Sequence, residues 1–175
     1  MSQHDISSLW SGATESKKPP SNSSATVGKL SARNLSIVWS SDSRYWKSTT
    51  TDIGGLLVDA ANLVKVCWLQ VDGKYEIKKL SKGVHYEVMF VVKLLDSLNI
   101  KKPVTFSLTP PGECTQMCRK KLMKMPKNQI LGIVVGDFQA GEVFGCSEIK
   151  FSMVNVDECW KQGLVVMGVL VVPKL

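Results

Sequence analysis

The chain has 175 residues, of which 44% are hydrophobic, so it is long enough for one domain with a real core and too short for two comfortable ones. Residues 1–5 contain neither a basic nor an apolar segment, so we expect no secretory signal and a cytoplasmic protein that could also reach the nucleus by diffusion. The longest apolar stretch, residues 164–173, is too short to cross a bilayer, and we expect no membrane span.

The formal net charge of +7 favours acidic partners, nucleic acid included. The densest basic cluster, residues 119–127, has no interleaved aromatic side chains that could stack on bases, so we interpret it as a solvated segment and keep RNA binding as an alternative. The five cysteines are expected to be free thiols, because no export signal precedes them. Cys114 and Cys118 lack a second pair of ligands, so we expect neither a metal site nor a cofactor.

The first part of the chain, residues 1–26, is rich in Ser, Lys and Pro and has little apolar surface to bury. Such a segment cannot offset the entropy lost on ordering, so we expect a disordered tail. Ile6, Leu9 and Trp10 are the exceptions, and they are either idle or part of a short docking element. The folded domain is then expected over residues 27–175.

The rest of the chain shows short β segments separated by turn signals. We predict strands over residues 35–39 and 62–71, then a tight hairpin turn at Asp72 and Gly73 and a returning strand over residues 75–80. Residues 114–125 form the one predicted helix. Alternating apolar residues predict the remaining strands over residues 83–94, 104–108, 129–138, 148–154 and 163–172.

Many short strands without a βαβ rhythm predict an all-β fold, an antiparallel β-sandwich or jelly roll. Residues 163–172 are apolar on both faces, which indicates a central strand or one covered by a partner subunit. We place the expected dimer interface there.

Motifs of the common enzyme classes are absent from the sequence: there is no G-x-S-x-G, no Gly-rich phosphate loop with its lysine and no H-E-x-x-H. Neither His4 in the tail nor His85 in a strand supports a Ser-His or Cys-His pair. Asp137 and Glu142 could serve a glycosidase, but most proteins offer such a pair of carboxylates. The sequence therefore favours a protein without catalytic activity.

The most informative region is residues 35–47, where a strand ends in Trp39 and a polar loop leads to Tyr45 and Trp46. An indole ring offers a flat, electron-rich face on which the apolar C–H face of a sugar packs. The alternative for both tryptophans is a place in the core, and the polar loop weakens that alternative more for Trp46 than for Trp39. Trp68 and Trp160 are assigned to the core.

Four stretches of the chain together resemble the phloem protein 2 or Nictaba-related lectins of plants. They are Leu35 to Trp39 with Tyr45 and Trp46, residues 66–74, residues 86–94 and residues 160–169. The resemblance covers about residues 29–174. It implies a β-sandwich of jelly-roll type, a phloem or sieve-element location and a homodimer. It also implies binding of N-acetylglucosamine oligomers and N-glycan cores without catalysis.

The resemblance also implies which residues contact the sugar. The family pattern I-x-W followed by Y-W falls on Trp39 and Trp46, and the acid of V-G-E-F falls on Asp137. A second acid in the following loop corresponds most nearly to Glu142, with Glu148 as its competitor. Tyr45 and the two acids would bond sugar hydroxyls or N-acetyl groups. The alternative function is a structural or RNA-binding phloem protein that acts through thiol cross-links or its basic surface.

Overall fold

The computed structural model describes residues 3–12, 25–141 and 147–174, which form a sandwich of two antiparallel sheets. The helices of this part of the chain are α1 (Gln3–Gly12) and three short 3-10 turns, Ala32–Asn34, Ile77–Lys79 and Leu122–Lys124. The strands are β1 (Gly28–Ser31), β2 (Ser36–Ile37), β3 (Trp46–Ile53), β4 (Leu56–Leu63), β5 (Leu69–Glu76), β6 (His85–Asn99), β7 (Val104–Thr109), β8 (Gln116–Lys120), β9 (Ile130–Gln139), β10 (Glu148–Asn155) and β11 (Gln162–Pro173).

One sheet has the order β3-β4-β11-β6-β9, with β1 also paired to β11, and the other has the order β2-β5-β10-β7-β8. All of these strand pairs are antiparallel. The predicted all-β antiparallel sandwich is therefore confirmed. The predicted strands at 83–94, 104–108, 129–138, 148–154 and 163–172 correspond to β6, β7, β9, β10 and β11.

The core between the sheets is built around aromatic contacts. Phe90 of the six-stranded sheet meets Phe106 and Phe151 of the other sheet, with ring centroids 5.7 and 5.9 Å apart. Tyr86 stacks on Phe138 at 6.0 Å. Alternate residues of each strand point into this core and leave the others on the outer faces, as the period of a strand requires.

Strand β11 is central in its sheet, and its residues are buried on both faces. Its outer face packs against α1, whose Ile6 and Trp10 are buried in one cluster with Met167 and Leu170. The chain's own helix therefore covers the surface that suggested a dimer interface at residues 163–172. The central-strand interpretation is confirmed, and the argument for an interface on this strand is wrong.

Helix α1 differs from the disordered tail expected for residues 1–26, because Ile6 and Trp10 give it an apolar side that docks on β9 and β11. A ten-residue helix is marginal in isolation, so this packing accounts for its formation. Gly168 makes room for it: a Cβ there would lie 2.7 Å from Trp10 Cη2 and 2.1 Å from the carbonyl oxygen of Leu30. The helix is consistent with the short docking element left open for Ile6, Leu9 and Trp10, and residues 13–24 of the expected tail lie outside the described part of the chain.

The predicted helix, the predicted turn and the predicted returning strand over residues 75–80 are wrong. Residues 75 and 76 continue β5, and Ile77–Lys79 is a 3-10 turn. Residues 114–125 contain no α-helix, because Gln116–Lys120 pairs with β7 as strand β8. Asp72 and Gly73 are not a turn but lie inside β5, where they pair with Ser152 and Phe151. Gly73 has a packing role instead, since a Cβ at this position would lie 2.4 Å from Phe151 Cε2.

The predicted strand over residues 62–71 is two strands, because β4 ends at Leu63 and β5 begins at Leu69. The predicted first strand, residues 35–39, is reduced to β2, and Trp39 lies in the turn that follows. In the described part of the chain, no helix has the length and apolar character needed to cross a membrane.

Candidate functional site

Three of the five tryptophans are exposed, and this is the most unusual property of the surface. Trp39, Trp68 and Trp160 have 58%, 51% and 57% of their surface accessible, whereas Trp10 and Trp46 are buried. A large aromatic ring left in water forgoes the free energy of burial, so a group of them makes this surface the candidate ligand site.

The three exposed tryptophans lie on three loops that are hydrogen-bonded to one another, residues 38–45, 64–68 and 156–161. Backbone N–H groups of Val64 and Lys65 donate to the carbonyl oxygen of Tyr45 at 2.8 and 3.2 Å. Val66 and Lys161 exchange backbone hydrogen bonds of 3.1 and 2.7 Å. The loops therefore form one continuous end of the sandwich, which we call the tryptophan end.

Trp39 has a backbone φ of 68°, a left-handed conformation that is rare for a bulky residue and costs free energy. Hydrogen bonds from Ser40 N to Ile37 O and from Asp42 N to Trp39 O hold this turn at 3.1 and 3.2 Å. The ring of Tyr45 meets the indole in an edge contact, with centroids 5.9 Å apart. The structure thus brings two of the predicted residues, Trp39 and Tyr45, together.

The charged residues of the first loop hold Tyr45 in place. Asp42 accepts hydrogen bonds from the backbone N–H of Arg44 at 2.9 Å and from its guanidinium at 2.7 Å. These hydrogen bonds hold the pKa of Asp42 below its usual value. The guanidinium lies 5.3 Å from the centroid of the Tyr45 ring, so one face of this ring is covered. Trp39 is left as the open aromatic platform of the loop.

Trp46 is only 2% exposed, and the expectation that the polar loop presents it to solvent is wrong. The loop ends one residue earlier than expected, at Tyr45, so Trp46 is the first residue of β3 and pairs with Leu63. Strand alternation then turns its ring into the core. Its Nε1 has no hydrogen-bond partner within the described residues. The exposures of Trp39 and Trp46 are thus the reverse of those favoured by the sequence.

Trp68 and Trp160 were assigned to the core, and the structure exposes both. Trp68 precedes β5, and its Nε1 donates to Gln70 Oε1 at 2.8 Å. Val38 N donates to the carbonyl oxygen of Gln70 at 3.1 Å, which places the loop of Trp39 beside the start of β5. The break between β4 and β5 removes Trp68 from the alternation of the single long strand that the sequence predicts, and this accounts for its exposure.

The buried side chain of Lys161 connects two loops of the tryptophan end, residues 64–68 and 156–161. Its side chain is 2% exposed, and its Nζ lies within hydrogen-bond distance of the carbonyl oxygens of Cys67, Asp157 and Cys159 and 2.9 Å from Asp157 Oδ1. The hydrogen bond from Lys161 holds the pKa of Asp157 below its usual value. These contacts fix the backbone just before Trp68, at Cys67, and just before Trp160, at Cys159.

Asp137 does not lie at the tryptophan end. It belongs to β9, where it accepts hydrogen bonds from Lys174 Nζ at 3.0 Å and contacts His85 Nε2 at 2.9 Å. The contact with Lys174 contributes most and the contact with His85 less, and together they lower the pKa of Asp137. Strands β9 and β3 are opposite edges of their sheet, four strand spacings or roughly 19 Å apart. Asp137 is therefore remote from the other predicted contacts.

The two other predicted acids are placed differently. Glu142 lies outside the described residues. Its competitor Glu148 starts β10 and lies 3.8 Å from Lys74 Nζ. Among the residues with described positions, no three His, Cys, Asp or Glu side chains form a group that could hold a metal ion.

A groove of about 430 Å³ lies on the outer face of the five-stranded sheet. Its walls come from β2, β5, β7 and β10. Most of the accessible lining surface is apolar, but eight of the ten lining residues have polar side chains. They are Asn34, Ser36, Asp72, Lys74, Ser107, Thr109, Lys150 and Ser152.

Comparison with known proteins gives consistent matches. The family model described as phloem protein 2 matches residues 26–173. Protein PHLOEM PROTEIN 2-LIKE A1 of Arabidopsis thaliana is 37% identical over 83% of this chain and 61% of its own length. A protein of Luffa acutangula named lectin is 36% identical over 87% of this chain and 73% of its own length. The chain thus spans less than two thirds of the length of the Arabidopsis relative.

Among solved structures, the insecticidal crystal protein Cry2Aa aligns with 89% of this chain and 22% of its own, with a TM-score of 0.51 and 10% sequence identity. A match at this identity shows a shared fold alone.

Proposed function

Since the chain belongs to the phloem protein 2 family, we propose that it is a carbohydrate-binding lectin without catalytic activity. The observation that carries the proposal is the tryptophan end, with three exposed indole rings on connected loops. The relatives named lectin from Luffa acutangula and Coccinia grandis support the same function. As ligands we propose N-acetylglucosamine oligomers and N-glycan cores, the class implied by the family resemblance.

In the proposed site, a sugar ring stacks on Trp39, and the hydroxyl group of Tyr45 bonds a sugar hydroxyl or the N-acetyl carbonyl. Trp68 offers a second platform at the start of β5. Trp46 supports the site from the core, and Asp137 is not part of it. The site is open to water, so the Kd per sugar should be on the order of micromolar to millimolar.

Titration calorimetry with chitotriose tests the proposal. The wild-type protein should release heat on binding, and Trp39→Ala should lose most of the affinity, because stacking needs the open indole face. Met117→Ala is the matched control, since Met117 is an exposed apolar residue on β8. Equal affinities for wild type and Trp39→Ala would refute the site. No binding of any chitooligosaccharide by wild type would refute the ligand class.

We further propose that the protein acts in the cytoplasm of phloem tissue. The names of its relatives support the phloem part of this location. The homodimer implied by the family resemblance remains part of this proposal. Its interface would not be the outer face of β11, which α1 covers.

A further inference from the structure

A row of polar contacts leads away from the tryptophan end along β5. Trp68 Nε1 donates to Gln70 Oε1 at 2.8 Å, and Gln70 Nε2 donates to Asp72 Oδ2 at 2.7 Å. Residues two apart in a strand point to the same face, so Gln70, Asp72 and Lys74 form one line on the outer face of the sheet. The line ends in the groove, of which Asp72 and Lys74 are walls.

The groove carries groups that both donate and accept hydrogen bonds. Ser107 and Ser152 face each other with their Oγ atoms 2.6 Å apart, and Lys150 lies beside Ser152 on β10. Within the described residues, neither Asp72 Oδ1 nor Lys150 Nζ makes a hydrogen bond. These two groups are therefore available, one to accept from hydroxyl groups and the other to donate to them.

The charges of the groove match a neutral ligand better than a polyanion. Its lining contains two lysines and one aspartate, and Lys74 also faces Glu148 at 3.8 Å. A strip that binds nucleic acid needs an excess of positive charge along its length. Uncharged hydroxyl groups match the serine and threonine side chains of the lining.

The length of the strip indicates an extended ligand. From Trp68 to Lys74 is six residues, or roughly 20 Å of strand. We propose that a linear oligosaccharide binds along β5, with its first units on Trp39 and Trp68 and its later units in the groove, bonded to Asp72 and Lys150. This inference rests on the proposed lectin function and adds a second set of contact residues to it.

Calorimetry with two ligands, chitotriose and chitohexaose, separates the two parts of the site. Lys150→Ala and Asp72→Ala should each weaken chitohexaose binding about fivefold, the loss expected for one hydrogen bond, and change chitotriose binding less than twofold. Lys124→Ala is the matched control, because Lys124 is an exposed lysine away from the groove lining. Thermal unfolding of each variant shows whether the fold is intact.

The outcomes distinguish this inference from the function on which it rests. Unchanged chitohexaose affinity in both variants would overturn the role of the groove. Equal losses for both ligands would overturn the assignment of the groove to the later sugar units. Failure of the wild-type protein to bind either ligand would instead overturn the proposed ligand class.

Discussion

Replacement of Lys161 by methionine should destabilise the protein, since methionine keeps the apolar stem and removes the buried ammonium group. The Nζ is surrounded by the carbonyl oxygens of Cys67, Asp157 and Cys159 and by the carboxylate of Asp157. Loss of one partner of a buried charged pair costs about 3–5 kcal/mol. The Asp157 side chain is partly exposed, so water can compensate it, and we expect about 3 kcal/mol.

The same variant should change the dependence of stability on pH. Lys161 lowers the pKa of Asp157 in the folded state, so the carboxylate stabilises the fold above its unfolded pKa of about 3.9. This contribution is lost as the pH falls through the folded pKa. Acidification to about pH 3 should therefore reduce the stability of wild type more than that of Lys161→Met.

Urea unfolding at pH 7 and pH 3 measures both effects. Lys124→Met is the matched control, because Lys124 is exposed and should contribute less than about 0.5 kcal/mol. A loss below about 1 kcal/mol for Lys161→Met at pH 7 would refute the proposed burial penalty. If the difference in stability between wild type and Lys161→Met were the same at pH 3 as at pH 7, the role of the Asp157 pair would be refuted.

Two further predictions concern residues that the sequence placed in the sugar site. Trp46→Ala should lower the free energy of unfolding by about 3–5 kcal/mol, because the ring of Trp46 is in the core. Urea unfolding measures the stability and calorimetry the sugar affinity. A loss of sugar affinity without a change in stability would contradict the burial of Trp46. Asp137→Asn should leave chitotriose affinity within about twofold, because the carboxylate is about four strand spacings from β3; a tenfold loss in calorimetry would show that Asp137 reaches the sugar.

The strands with regular alternation could be predicted from the sequence, and those whose residues serve tertiary packing could not. Strand β6 shows a clear apolar and polar period, and β9 to β11 are similarly apolar on their inner positions. The sequence predicts a turn at Gly73, because it does not show that Phe151 packs against this glycine from a neighbouring strand. The sequence predicts a helix where β8 lies, since only the pairing with β7 determines the conformation of this segment.

Prediction of the candidate site requires strand boundaries that are accurate to one residue, and the sequence does not define them that closely. A shift of one residue reverses the face of a side chain, and this explains why Trp46, the first residue of β3, points inward. Trp39 stays outside because it lies in the turn after β2. The same uncertainty placed Trp68 inside one long strand rather than in the loop before β5. The aromatic residues themselves could be singled out from the sequence, but not their exposure.

The position of β11 also has a consequence for the order of folding. This strand follows every other described strand in the chain, yet it pairs with β1, β4 and β6 and lies at the centre of its sheet. During synthesis the earlier strands of that sheet leave the ribosome before the neighbour that joins them. Their unpaired edges can then pair with other chains. We therefore expect a nascent chain of this fold to need chaperones until β11 emerges.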